Sequence, residues 1–216
     1  MHRALFASLV VLLSSSAFAQ PAPAAPTAPE PVPTASGLLW IGPQLDIMAS
    51  GSVTAQSGSN PSVSADLDSA IGLGGLIEYR VSPLVTVGLA PRFATPIRIH
   101  NATDSGTQLD LRARVTVGKE VAPRVRLHGI ATLGYSWIFH LLCEQDQNGA
   151  CANYLTVRGV VFGFGAGVYY TISPRLLLTG EISYQLGRQG TTFTNMDVRA
   201  SDDYLTLGIG LLTPLD

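Results

Sequence analysis

The chain has 216 residues, 46% of them hydrophobic and 13% charged, with 13 Lys and Arg against 15 Asp and Glu and a formal net charge of −2. So even a balance offers no basic footprint for nucleic acid, and no nucleic-acid partner is expected. Beyond the N-terminal region no stretch reaches 18 consecutive apolar residues, which excludes a transmembrane helix there.

Residues 1–19 read as a secretory signal peptide. His2 and Arg3 make a short basic start, an apolar run from Ala4 to Leu13 follows, and Ala17-Phe18-Ala19 supplies a small-x-small cleavage site. The run is too short to cross a bilayer of about 30 Å as a helix. Residues 20–36, QPAPAAPTAPEPVPTAS, are rich in proline and lack aromatics, as in an extended spacer or a disordered tail. Residues 37–216 fit one domain.

Within that domain alternation with a period of two recurs along the chain, the mark of strands with two differently solvated faces. Over 38–49, Leu39, Ile41, Leu45 and Ile47 oppose Trp40, Gln44 and Asp46, and over 71–81, Ile71, Leu73, Ile77 and Tyr79 oppose Gly72, Gly74, Leu76, Glu78 and Arg80. Over 84–94, Val85, Val87, Leu89 and Phe93 oppose Thr86, Gly88, Ala90 and Arg92. The cleanest case is 109–117, where Leu109, Leu111, Ala113, Val115 and Val117 alternate with Asp110, Arg112, Arg114 and Thr116.

The run 124–140 continues the scheme, with Leu127, Leu133, Tyr135, Trp137 and Phe139 on one side and Arg126, His128, Thr132 and Ser136 on the other. Over 155–171, Val160, Phe162, Phe164, Val168 and Tyr170 face away from Gly163, Gly165 and Gly167; Leu155 and Arg158 break the parity, which predicts a bulge near Gly159. The last two runs are 176–186 and 203–212.

Eight predicted strands are joined by links of two kinds. Three links carry a β-branched residue, Ser or Ala, and Pro: Val81-Ser82-Pro83, Val121-Ala122-Pro123 and Ile172-Ser173-Pro174. Proline presets φ near −65° and lacks the N–H that a continuing ladder needs, so these are tight turns. The other four links are polar and long: residues 51–66, 98–108, the segment around LLCEQDQNGACANY, and 187–203. Short links at one end and long ones at the other predict an all-β fold, an eight-stranded antiparallel up-and-down transmembrane β-barrel. Cys143 and Cys151 flank one long link, and in an exported protein they read as a loop-closing disulfide. Two thiols, with no His or third Cys within that segment, are too few for a metal site, and no cofactor is expected.

Parity alone does not say which face is out. A soluble exported lipocalin-like barrel binding a small apolar ligand would have the same strands with the apolar face inward. Three features favour the membrane version. The polar face is built from small residues that fit a crowded lumen. Its charges balance, Asp46, Glu78, Asp110 and Glu181 against Arg80, Arg92, Arg112, Arg114 and Arg126, as a lumenal ion-pair network requires. The aromatics sort by height, Tyr79, Tyr169 and Tyr170 near the proline turns and Phe93, Tyr135, Trp137, Phe139 and Tyr184 towards the long links, making two interfacial girdles. A lumen this narrow admits at most a gated passage past Arg92, Arg112, Arg114 and Glu181.

Chemistry is poorly provided for. The glycines of GFGAG, residues 163–167, alternate along a strand and lead into no helix, so close packing explains them better than a nucleotide loop. A hydrolase would have to draw on Ser136, His128 and His140; the first and last lie about 13 Å apart at roughly 3.3 Å per residue, and no enzyme is expected.

By strand count, loop asymmetry and parity from Gly37 to about Leu212, the chain resembles the small eight-stranded outer-membrane barrels, the OmpA-type transmembrane domain and the OmpX- or OmpW-like porin family. The resemblance implies a monomer in the lipid of a bacterial outer membrane, inserted by the barrel-assembly machinery. It also implies a role in envelope integrity or surface interaction, with a surface or host ligand met at four long extracellular loops.

Overall fold

A computed structural model describes residues 39–57, 62–98, 105–145, 151–193 and 196–215. The expected signal peptide and proline-rich segment lie outside the described residues. Nine antiparallel strands make one sheet: β1 (Leu39–Ser57), β2 (Val63–Leu67), β3 (Ala70–Arg80), β4 (Val85–Arg98), β5 (Ser105–Ala122), β6 (Val125–Gln145), β7 (Cys151–Ser173), β8 (Leu176–Phe193) and β9 (Met196–Leu215). The upper part of β1 pairs with β2 (Val53 opposite Ala65) and its lower part with β3 (Leu45 opposite Leu73). β2 and β3 are therefore one stave, broken at Asp68 and Ser69. β1 also pairs with β9, Ile47 opposite Leu207, which closes the ring. The result is an up-and-down barrel of eight staves.

The three proline links are tight turns. At the first, Val85 N–H donates to Ser82 O at 3.3 Å and to Ser82 Oγ at 3.1 Å. At the second, Arg124 takes a positive φ of 69°, and at the third Arg175 N–H donates to Ser173 Oγ at 3.3 Å. Proline ends each ladder because it offers no N–H to continue it.

At the opposite end the structure corrects the expected long loops. The ladder of β8 and β9 runs up to Phe193 opposite Met196, and that of β6 and β7 runs past Cys143, which pairs with Tyr154. Most of the four polar links are thus strand extensions. The reason is physical: apolar–polar alternation reports where one face meets lipid, and it fades once the outer face leaves lipid and turns polar, although backbone pairing and burial of the inner face continue, with Gln108 and Gln189 buried there. The side chains of Cys143 and Cys151, and with them the expected disulfide, lie outside the described residues.

A second correction concerns the bulge. The ladder is continuous through Arg158 and Gly159; the irregularity lies on the partner strand, where pairing steps from Phe139 to Leu142 and His140 has a φ of 63°. Arg158 keeps parity and points outward, beside Trp137. Two other ladders skip a step at prolines: Gly42 and Pro43 fall between paired residues of β1 and β9, and Pro91 between those of β3 and β4. A proline inside a strand removes a ladder donor.

The barrel is apolar outside. Leu73 is 64% exposed, Leu133 61% and Phe164 55%, whereas Asp110 is 0% and Arg92 1% exposed. Water would not tolerate so continuous an apolar wall, while lipid requires one. Aromatics mark its two edges. Tyr79 and Tyr170 are exposed near the turns; Tyr135 and Trp137 pack with ring centroids 4.8 Å apart towards the other end, and Phe164 and Tyr184 with 5.9 Å. Tyr169, expected in a girdle, instead lies inside the lumen, 5% exposed.

Candidate functional site

Every stave sends alternate side chains into the lumen, so chain order brings together groups distant in sequence. Two polar clusters result. In the one further from the proline turns, β4 supplies Arg92, β5 Gln108 and Asp110, β6 Ser136, and β9 Tyr204. Arg92 grips one carboxylate oxygen of Asp110 twice, Nε at 3.0 Å and Nη2 at 2.5 Å. Arg92 Nη2 also donates to Tyr204 Oη at 2.6 Å, and the guanidinium carbon stands 5.0 Å from the centre of that ring. Gln108 Nε2 donates to the second Asp110 oxygen at 2.9 Å and to Ser136 Oγ at 3.1 Å.

Nearer the turns, Arg114 is the hub. Its Nε donates to Glu78 Oε1 at 2.7 Å, its Nη1 to Glu181 Oε2 at 2.8 Å, and its Nη2 to Glu181 Oε1. Tyr169 Oη donates to the Glu78 carboxylate at 2.8 Å, Thr179 Oγ1 to Glu181 at 3.1 Å, and Gln44 Nε2 to Glu181 Oε2 at 3.3 Å. His128 stacks on the Tyr169 ring at 4.1 Å between centroids, and its Nε2 lies 3.8 Å from Glu181. Each carboxylate keeps several donors, the condition under which charge survives away from water.

Not every lumenal charge joins these clusters in the same way. Asp46 and Arg112, 2% and 5% exposed, line a cavity of about 20 Å³ between them, together with Gln44, Glu181, Gln185 and Thr206. That is room for about one water. Arg80 and Arg126 sit at the turn end, where Arg80 Nη2 donates to Pro83 O at 3.3 Å and Arg126 Nη2 to Leu84 O at 2.9 Å. With Glu78, Glu120 and Trp40 they border a mouth of about 70 Å³.

Sequence reasoning missed the apolar part of the lumen. Met48, Val53, Leu67, Ala94, Ile97 and Ile138 form a buried cluster capping the upper polar network, against Tyr204. A second cluster of Leu76, Ala90, Tyr169 and Leu212, packed by Trp40 and Leu177, lies by the turns. Leu76 and Trp40 break the small-polar pattern of their strands, as do Ile130 and Ile138 on β6, and these were the signals in the sequence that the lumen is not polar throughout. Among the described residues no cluster of His, Cys, Asp and Glu could hold a metal ion. Ser136 and His128 stand in different clusters, Ser136 held by Gln108 and Gln189 amides and His128 beside Glu181. His140 occupies the exposed bulge of β6. The three do not converge.

No protein-family model and no curated protein sequence matches the chain. Solved structures do. The outer membrane protein OprG from Pseudomonas aeruginosa superposes with a TM-score of 0.55 at 12% identity, covering 83% of this chain and 96% of that one. The fold is that of a small outer-membrane barrel. AlkL, solved in DMPC lipid bilayers, agrees with a TM-score of 0.52 at 12% identity, covering 92% of this chain and 97% of that one. At such identity the likeness extends to the fold, and the lumenal residues must be read on their own geometry.

Proposed function

We propose that the chain is a monomeric outer-membrane barrel whose lumen is a sealed structural network, and that it serves envelope integrity or surface interaction through the strand extensions beyond the membrane. The observation that carries this is the succession of buried layers along the lumen: the apolar cap around Ile97, the Arg92–Asp110 cluster, the Arg114–Glu78–Glu181 cluster, and the apolar layer around Leu76. A solute would have to break at least one ion pair buried to 7% exposure or less on both sides. A network so arranged holds the staves in register, because Arg114 alone ties β5 to β3 and β8.

The proline turns then face the periplasm and the long ladders the cell exterior, which is where a surface or host ligand would be met. Insertion calls on the barrel-assembly machinery, and Cys143 and Cys151 close a disulfide at the outer tip of β6 and β7. No catalytic role is assigned: Ser136 has amide partners in place of a base. Heat-modifiable migration on detergent gels tests the barrel, and recording in planar bilayers tests the seal. Folded protein that gives no current steps supports the reading; steady ohmic conductance that changes with Arg112→Ala refutes the sealed lumen and favours a narrow pore.

A further inference from the structure

The outer wall is uncharged over most of its circumference above the aromatic edge. On β1, β4 and β5 the outward side chains there include Ser52, Thr54, Thr95, Ser105 and Thr107, and the described charges there outside β7, β8 and β9 are scattered ones, Arg98 opposite Ser105 and Asp66 opposite Ser52. On three adjacent strands the composition changes abruptly. Arg158 of β7 stands opposite Gly190 of β8, and Gly190 opposite Arg199 of β9, so the two arginines share one row with a glycine between them. Arg188, the next outward residue of β8, lies opposite Val160 and Ser201. All three arginines are exposed. With strands about 4.8 Å apart and about 3.3 Å of rise per residue, Arg158 and Arg199 are roughly 10 Å apart at their Cα atoms, and Arg188 lies about 7 Å below the glycine.

Two further observations define what this triangle meets. Beneath it the wall becomes lipid-facing: Val160 and Phe162 on β7, Leu186 and Tyr184 on β8, and, below Ser201 and Asp203, Leu205 and Leu207 on β9, with Trp137 beside Arg158. The arginines therefore sit at headgroup height. None of the three has an ion pair among the described residues. Among the residues whose side chains are described, the nearest outward carboxylate, Asp203, accepts the hydroxyls of Tyr184 and Ser52. The glycine between the two outer arginines leaves the centre of the patch open to a bulky group.

We infer that Arg158, Arg188 and Arg199 form a docking surface for the phosphate groups of an anionic outer-leaflet glycolipid. Guanidinium forks bind phosphate in bidentate fashion, and three of them around a gap bind more than one phosphate oxygen at once. Attraction is strengthened at the headgroup boundary, where charge is less screened than in bulk water. The inference rests on the proposed membrane barrel, so its test must separate the two.

The full chain is folded into detergent, its heat-modifiable migration is checked, and native mass spectrometry follows retention of diphosphoryl lipid A against the same lipid stripped of phosphate. One lipid A per barrel is expected, with at least tenfold less retention by the Arg158→Ala/Arg188→Ala/Arg199→Ala variant and several-fold less by Arg188→Gln alone. Arg98→Ala, an isolated exposed arginine on β4, should retain the lipid as the parent does. Equal retention by the triple variant, equal loss with Arg98→Ala, or equal binding of the phosphate-free lipid overturns the docking surface while leaving the barrel intact. Displacement of lipid A by inorganic phosphate at the same concentration as the lipid would make this a free-anion site and overturn the lipid assignment. Failure of the parent chain to show heat-modifiable migration would instead refute the barrel itself.

Discussion

Replacing Arg114 by methionine removes the hub of the inner network while keeping its length and apolar stem. The guanidinium of Arg114 is 3% exposed, and the carboxylates it serves, Glu78 and Glu181, are 4% and 7% exposed. Removing it strands two carboxylates where water has little access, and takes away the three charge-assisted bonds from Nε, Nη1 and Nη2. Breaking a single buried pair costs about 3–5 kcal/mol, so a loss of about 4 kcal/mol is expected, close to a thousandfold in the folding equilibrium. Reversible urea unfolding from phosphatidylcholine vesicles reads it as a fall in midpoint at unchanged slope. Lys119→Met, an exposed charge by the second turn, should shift stability by less than about 0.5 kcal/mol. Adding Glu78→Gln and Glu181→Gln to Arg114→Met should recover at least half the loss, because neutral amides have no charge to desolvate. A loss below about 1 kcal/mol for Arg114→Met, the range of solvated pairs, would show that the lumen is wet and the reasoning wrong.

Three more tests bear on the lumen and the outer tip. Gly167→Val should cost about 1–3 kcal/mol in the same titration. A Cβ there would stand 2.6 Å from His128 Nε2 and 2.8 Å from Gly180 O, whereas Gly129→Ala, with no atom nearer than 3.9 Å, should be close to neutral. Ile97→Ala should cost about 2–4 kcal/mol if the apolar cap is as closely packed as its 1% exposure indicates, and a negligible loss would mean the cap is loose. Thiol titration of the exported, unfolded chain should find no free sulfhydryl before reduction and two after it; two before reduction would remove the proposed Cys143–Cys151 bond.

What could be read from sequence was what lipid and tight turns impose. Leu109 to Val117 alternate strictly because one face meets acyl chains and the other a narrow interior, and the two environments choose opposite residue types at every step. The proline links were equally legible, since proline acts on its own backbone. Three things were not. The extensions of β5 to β9 lost their period because the outward face leaves lipid and turns polar while the buried inward face, with Gln108, Gln189 and Asp202, is polar too, so a paired strand looked like a loop. The irregularity assigned near Gly159 lies at His140, because a disturbed register shows in sequence only as a shift of one strand against another and does not say which strand carries the extra residues. Tyr169 was placed by height, yet its parity with Gly163, Gly165 and Gly167 put it inside, where its hydroxyl finds Glu78. The apolar layers around Ile97 and Leu76 were hidden for a related reason: lumenal side chains pack across the barrel with partners on distant strands, and no local pattern records that.

This barrel is apolar outward and filled inward, and the chain's two tryptophans report on both faces. Trp137 lies on the outer wall at the aromatic edge, while Trp40 packs inside against the layer of Leu76 and Leu212. Single-tryptophan variants made with Trp40→Phe and Trp137→Phe are folded into vesicles of phosphatidylcholine carrying bromine at set depths. Strong quenching of Trp137 is expected, greatest for bromines near the headgroup, with little quenching of Trp40 at any depth. Equal quenching of both, or quenching of Trp40 alone, would contradict this arrangement.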